Sequence, residues 1–166
     1  MSSLVLLGSD RPIPGERGRL WRAVDGAPAF RRLVLVDDDT QLDLAEFGPD
    51  VTVWVGRQID SLEPSGDISD ATVLLAVGQE PEPGFEEPFN SWMDEEHVPG
   101  LGGVPGTLSA HRYHSANAVP AYFAVYHLRN RDVNTTPEWK RASQTARSEA
   151  MRPHSRHRVR GLYVAA

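Results

Sequence analysis

The chain contains no cysteine, so disulfides, thiolate zinc sites and a cysteine nucleophile are excluded at the outset. It has no apolar run long enough to span a membrane. The N-terminal SSLVLLG is short and lacks the basic start and small-residue cleavage pattern of a secretory signal. Positive charge is not in excess either: 17 Lys and Arg against 23 Asp and Glu give a formal net charge of −6, which argues against a nucleic-acid surface. No nucleophile elbow is present, and Gly100-Leu101-Gly102-Gly103 lacks the strand-before, helix-after setting of a phosphate loop. The expectation that follows is cytoplasmic residence, with no membrane or nucleic-acid partner. At 166 residues it can bury a real core without covalent staples.

The most informative stretch is FNSWMDEEHVPGLGGVPGTLSAHRYHS, residues 89–115. Phe85, Phe89, Trp92 and Met93 recur at helical spacing, and His97 follows on the same face. Pro99 and four glycines close behind predict that the helix ends soon after His97, in whose last turn a protonated imidazole would be favoured. The structural role of such a histidine, as a dipole partner or cap, stands beside an acid/base role. Residues 107–115 then alternate as a strand, with Thr107, Ser109, His111, Tyr113 and Ser115 on one face and Leu108, Ala110, Arg112 and His114 on the other.

The surrounding pattern predicts strands at 71–78, 121–129 and 158–166. In the second of these, Tyr122, Ala124, Tyr126 and Leu128 oppose Phe123, Val125 and His127. A helix is expected from Thr136, with Pro137 in its first turn, through Met151, where Pro153 stops it. The order over 71–166 is β-α-β-β-α-β, the split ferredoxin-like arrangement, and the fold class is α+β. Residues 1–65 form a shorter first half, with strands expected near 2–8, 32–36 and 51–55, a short helix at 17–24 and an acidic turn at Asp37-Asp38-Asp39. This half could be a degenerate first copy of the same plan, letting one chain supply both halves of a barrel. A polar linker lies between Asp60 and Asp70.

Phe89, Trp92, Glu96, His97 and Pro99, in the pattern F-x-x-W-x-x-x-E-H-x-P, are followed by Val104-Pro105-Gly106 and a basic-aromatic strand. This combination resembles the dimeric α/β barrel superfamily, and within it the EthD-like proteins. The resemblance covers roughly 71–166. It implies two ferredoxin-like sheets packed into a barrel whose interior holds a small ligand, a homodimer where one chain does not complete the barrel, and a pocket-facing role for His97. It also implies activities ranging from polyketide cyclisation, lactone isomerisation and dehydration to oxygenation of aromatics and haem chemistry.

The functional expectation is cofactor-free lyase, isomerase or cyclase chemistry on an aromatic or polyketide-like carbonyl compound. His97 moves the proton, and Tyr113, His111 or His127 stabilises the developing oxyanion. Asn90, Trp92, Tyr122 and Tyr126 are the expected substrate contacts. No metal site is expected: neighbouring residues of the Asp94-Glu95-Glu96-His97 run point in different directions, so at most Asp94 and His97 could grip one ion from this helix. A cofactor-independent or haem-linked oxygenase and a non-catalytic binding or assembly protein are the alternatives. The arginines between 141 and 160 would suit either an anionic substrate or a solvated face or dimer contact.

Overall fold

The computed structural model describes residues 2–9, 19–24, 30–37 and 43–166. Eight strands, β1 (Ser3–Leu7), β2 (Leu20–Ala23), β3 (Arg32–Val36), β4 (Val53–Gln58), β5 (Val73–Pro81), β6 (Thr107–His114), β7 (Tyr122–Leu128) and β8 (Ser155–Ala165), close into an antiparallel barrel in the order β1-β3-β2-β8-β5-β7-β6-β4. Both halves carry one strand order. The C-terminal four run β8-β5-β7-β6 and the N-terminal four run β4-β1-β3-β2, each being fourth, first, third, second in its own half. The N-terminal half therefore covers the sheet face that would otherwise need a second chain.

The two seams between the halves are short: three register pairs join β2 to β8 and two join β4 to β6. Beyond the second seam, the 59–66 segment continues along the edge of β6 instead of leaving as a free linker. Ile59 N–H donates to the Arg112 carbonyl at 3.0 Å, Ser65 N–H to the Leu108 carbonyl at 2.9 Å, and Ser65 Oγ to the Thr107 carbonyl at 2.6 Å. Asp60 fixes this segment, accepting from Arg112 N–H at 2.5 Å and from Leu62 N–H at 3.0 Å.

The barrel interior is filled. Trp21, Trp54, Tyr113, Phe123 and Tyr163 are all at most 2% exposed and share one cluster with Leu4, Leu6, Leu33 and Leu74. Three interior glycines make room for these rings. A Cβ on Gly56 would meet the Trp54 ring, one on Gly78 the Phe123 ring and one on Gly161 the Tyr163 ring, each under 3 Å. Among the described residues these side chains occupy the space between the two sheets.

On the outer face of the C-terminal sheet lie α1 (Glu86–Trp92), a π-helical turn (Met93–His97), α2 (Val98–Gly102), α3 (Pro137–Ser143) and α4 (Ala146–Met151). They bury Phe89, Trp92, Met93, Leu101, Trp139 and Met151 against Val73, Leu75, Ala124, Tyr126 and Leu128. Among the described residues no helix is long and apolar enough to cross a membrane.

Several local expectations need correction. The first helix does not stop at His97. The wider π turn has i→i+5 bonding, so a residue that cannot donate is accommodated at Pro99, and α2 continues to Gly102. The helix expected over 136–151 is two helices, because Thr145 turns extended and its side chain caps α4 by accepting from Ser148 N–H. The described part of the expected 17–24 helix is strand β2, whose ladder bonds to β3 and β8 override local preference. Residues 17 and 18 lie outside the described residues, as do Asp38 and Asp39 of the acidic turn. A register shift between Thr107 and Ser109 places Leu108 in the interior cluster, away from Ala110 on the helix side.

The close approach at Gly56 gives a test. Gly56→Val would drive a methyl-bearing carbon into the Trp54 ring and to 2.9 Å from the His114 carbonyl oxygen. Trp54 cannot swing away without losing its 2.7 Å bond to the Pro120 carbonyl. Overpacking of this kind costs about 1–3 kcal/mol, so urea unfolding of the variant should show that loss. Unchanged stability would mean the ring is not held there.

Candidate active site

The helices and the C-terminal sheet enclose a cavity of about 370 Å³, within the size range of sites for small organic ligands. Its floor is apolar and buried: Leu75, Trp92, Leu101 and Tyr126. Around it stand His97 and Gln79, Trp139 on α3, and a rim of Lys140, Arg152, Arg158 and Arg160. The β5 and β8 residues reach it because alternate side chains of a strand point to one face.

The π turn aims His97 inward. Its ring lies 4.6 Å from that of Trp92, and its Nδ1 is buried with no hydrogen-bond partner. Burial, reinforced by the positive charges of Arg152, Arg158 and Arg112, lowers its pKa to about 4. The helix-end reasoning expected a favoured imidazolium. The helix does not end there and guanidiniums surround the ring, so the imidazole is neutral at pH 7. Tyr126 is pushed above the usual phenol range by burial, partly opposed by Arg112 and Arg158, and keeps its proton.

The other expected catalytic residues are not brought to this cavity. His111, Tyr113 and His127 lie across the sheet from it. His127 is hydrogen-bonded to Ser109 at 2.8 Å and meets Trp21 edge-on, and burial first, then the charges of His111 and Arg19, lowers its pKa to about 4. Tyr113 belongs to the interior cluster, its pKa pushed up to about 12, chiefly by burial. His111 Nδ1 donates to Asp60 at 2.8 Å. Burial alone would raise the Asp60 pKa, but the bonds from His111, Arg112 N–H and Leu62 N–H outweigh it and the net shift is downward.

Of the expected substrate contacts, Trp92 and Tyr126 line the cavity. Asn90 and Tyr122 instead surround Arg112, a residue not singled out from the sequence. This arginine is 1% exposed. It donates to Asp94 at 2.6 Å and to Asn90 Oδ1 at 2.8 Å, and lies 5.0 Å from the Tyr122 ring centre. Asn90 Nδ2 donates to the Glu86 carbonyl at 2.9 Å. The cluster fixes the helix layer to β6. Asp94 is thereby committed to Arg112, and no group of three metal-type side chains occurs among the described residues.

Trp139, Lys140, Gln79 and the β8 arginines are the cavity residues that sequence reasoning did not assign to the site. Their signal was present in part as the arginine-rich tail, but which of those arginines face inward depends on the register of β8. Arg147 turns elsewhere, to Glu95 and Ser91, and Arg141 to Glu138.

No family model and no curated protein matches the chain. Solved structures do. A major regulator of staphylococcal pathogenesis is 10% identical, with a TM-score of 0.61, covering 100% of this chain and 99% of its own. An anthrone oxidase-like protein is 11% identical, with a TM-score of 0.60, covering 99% and 90%. A dimeric chlorite dismutase from Nitrobacter winogradskyi is 11% identical, with a TM-score of 0.55, covering 99% of both chains. The fold of the chain is the dimeric α/β barrel built from ferredoxin-like sheets. Such distant likeness carries the fold and not a reaction.

The two buried histidines make stability acid-sensitive. Their folded-state pKa values, about 4, lie below the roughly 6.5 of an unfolded histidine, so between these limits the unfolded chain binds more protons. Stability is then present above about pH 6.5 and lost as pH falls toward 4, by up to about 3 kcal/mol for each histidine. Urea unfolding at pH 7.5 and pH 5 should show the decline, and His127→Gln should remove about half of it. Equal stability of the wild type at both pH values would refute the depressed values.

Proposed function

We propose that this barrel is an enzyme acting on a small carbonyl compound, with His97 as the proton-transfer group and no cofactor. The carrying observation is a half-buried imidazole whose buried Nδ1 has no hydrogen-bond partner, held neutral at the wall of a ligand-sized cavity. A neutral imidazole can accept a proton from carbon next to a carbonyl, and the bond pair left behind moves to the carbonyl oxygen as an enolate. Tyr126, protonated and at the same cavity, is the donor for that oxygen, in place of Tyr113, His111 and His127. The imidazolium then returns its proton to the rearranged substrate, which corresponds to lyase, isomerase or cyclase chemistry. Trp92, Trp139 and Tyr126 suit an aromatic or polyketide-like skeleton.

The anthrone oxidase-like neighbour supports the oxygenase alternative. If that oxygenase were haem-linked, His97 would be the residue available to hold the iron, and an absorbance spectrum after addition of haemin separates that alternative from the cofactor-free reading. The regulator among the neighbours supports non-catalytic binding, in which ligand binds without turnover. A homodimer is supported by the dimeric chlorite dismutase, although closing this barrel takes only one chain. Light scattering should give twice the 18.3 kDa chain mass, and a monomer would overturn the dimer.

The test of the base is hydrogen–deuterium exchange at the acidic carbon of anthrone-type ketones, followed by NMR in D2O. His97→Gln should slow exchange by roughly 10²–10⁴ while leaving the melting temperature close to that of the wild type. Because only the neutral ring acts as base, the wild-type rate should fall on acidification with an apparent pKa near 4, well below that of a free histidine. Wild-type exchange in well-folded His97→Gln would eliminate this histidine as the base.

A further inference from the structure

The chain carries more acidic than basic residues, yet the cavity is lined by Lys140, Arg152, Arg158 and Arg160 and by no aspartate or glutamate. Two of these cations are already engaged. Arg152 donates to the Ser143 carbonyl at 2.7 Å, and Arg160 to the Asn134 side-chain oxygen at 2.5 Å, with that amide oriented to satisfy both of its groups. Lys140 and Arg158 have no hydrogen-bond or ion-pair partner among the described residues. Arg158 and Arg160, two apart on β8, point to one face beside Arg152, and like charges gathered without a counter-charge repel. Arg158 is also partly desolvated, its pKa lowered by burial and by Arg152 and Arg160. A solvated surface stripe would not combine this grouping with an aromatic floor.

We infer that the cavity binds an organic anion, an aromatic carboxylate or phenolate, whose charge lies against Arg158 and Lys140 while its rings occupy the floor between Trp92, Trp139 and Tyr126. The inference rests on the reading of this cavity as the substrate site and names its substrate class. The polarity is built in: cations at the rim select the charged end, and the buried aromatic floor takes the apolar body. His97 lies deeper, where it meets the part of the ligand remote from the charge or flanking it.

The experiment uses 2-naphthoate and its neutral isostere 2-naphthamide as probes of the full chain, with binding read by quenching of tryptophan fluorescence. Naphthoate should bind at least about tenfold more tightly than the amide at low salt, with the advantage shrinking as salt screens the rim. Arg158→Gln combined with Lys140→Gln should abolish the preference while the amide still binds and the circular dichroism melt is retained. Arg156→Gln, an exposed neighbour outside the lining, should keep it. Equal affinity of wild type for both probes overturns the inference, as does a carboxylate preference that survives in the folded double variant. His97→Gln separates this from the proposed chemistry. Carboxylate preference with no His97-dependent exchange leaves the anion site standing without the base, and His97-dependent exchange with no carboxylate preference leaves the base standing without the anion site.

Discussion

Closing eight strands into one barrel within a single chain is the constraint from which the rest of this molecule follows. A closed sheet has no free edge, and here its interior is taken up by Trp21, Trp54, Phe123, Tyr113 and Tyr163 lying over glycines. Among the described residues these rings take up the space between the two sheets. The open space is on the outer face of the C-terminal sheet, where helices bridge a strand surface that is polar at Gln79, Arg158 and Arg160 and apolar at Leu75 and Val77. The location of the site is thus set by how the barrel is filled.

The helix layer above that face is held by a charge taken out of water. Burying Arg112 would be costly if it stood alone, although its carboxylate partner Asp94 remains largely exposed to solvent. Asp94, Asn90 and the Tyr122 ring offset that cost and tie α1 and the π turn to β6. The same guanidinium contributes to the field that keeps His97 unprotonated. One buried residue therefore serves both the placement and the electrostatics of the histidine.

Much of the fold was legible because it is local. The alternation in β7 correctly separated Tyr122, Ala124, Tyr126 and Leu128 from Phe123, Val125 and His127. Thr136 with Pro137 correctly marked a helix start. What could not be read depends on partners distant in sequence. Strand β2 is specified by its neighbours β3 and β8, the π turn by the docking of Trp92 and His97, and the break at Thr145 by a hydroxyl competing with the helix ladder. His97, marked by the apolar helical stripe it follows, lines the cavity. Its charge state depends first on burial beneath the helix layer and then on Arg152 and Arg158, which lie more than fifty residues away. His111, Tyr113 and His127 were grouped with it because a strand pattern reveals that two faces exist but not which one meets the helices.

The two halves share a strand order but not a surface. The outer face of the N-terminal sheet presents Val5, Leu7, Val34 and Val36, packed with Phe47 and Val51, where the C-terminal sheet presents glutamine and arginine. A barrel assembled from two equal chains would carry two equivalent sites related by symmetry, able to influence each other across the shared wall. Among the described residues the arginines that line the cavity all belong to the C-terminal half, so a ligand held there would meet one such lining per chain. Binding at the proposed site would then follow a simple hyperbola within one barrel, and a sigmoidal response would require contact between barrels.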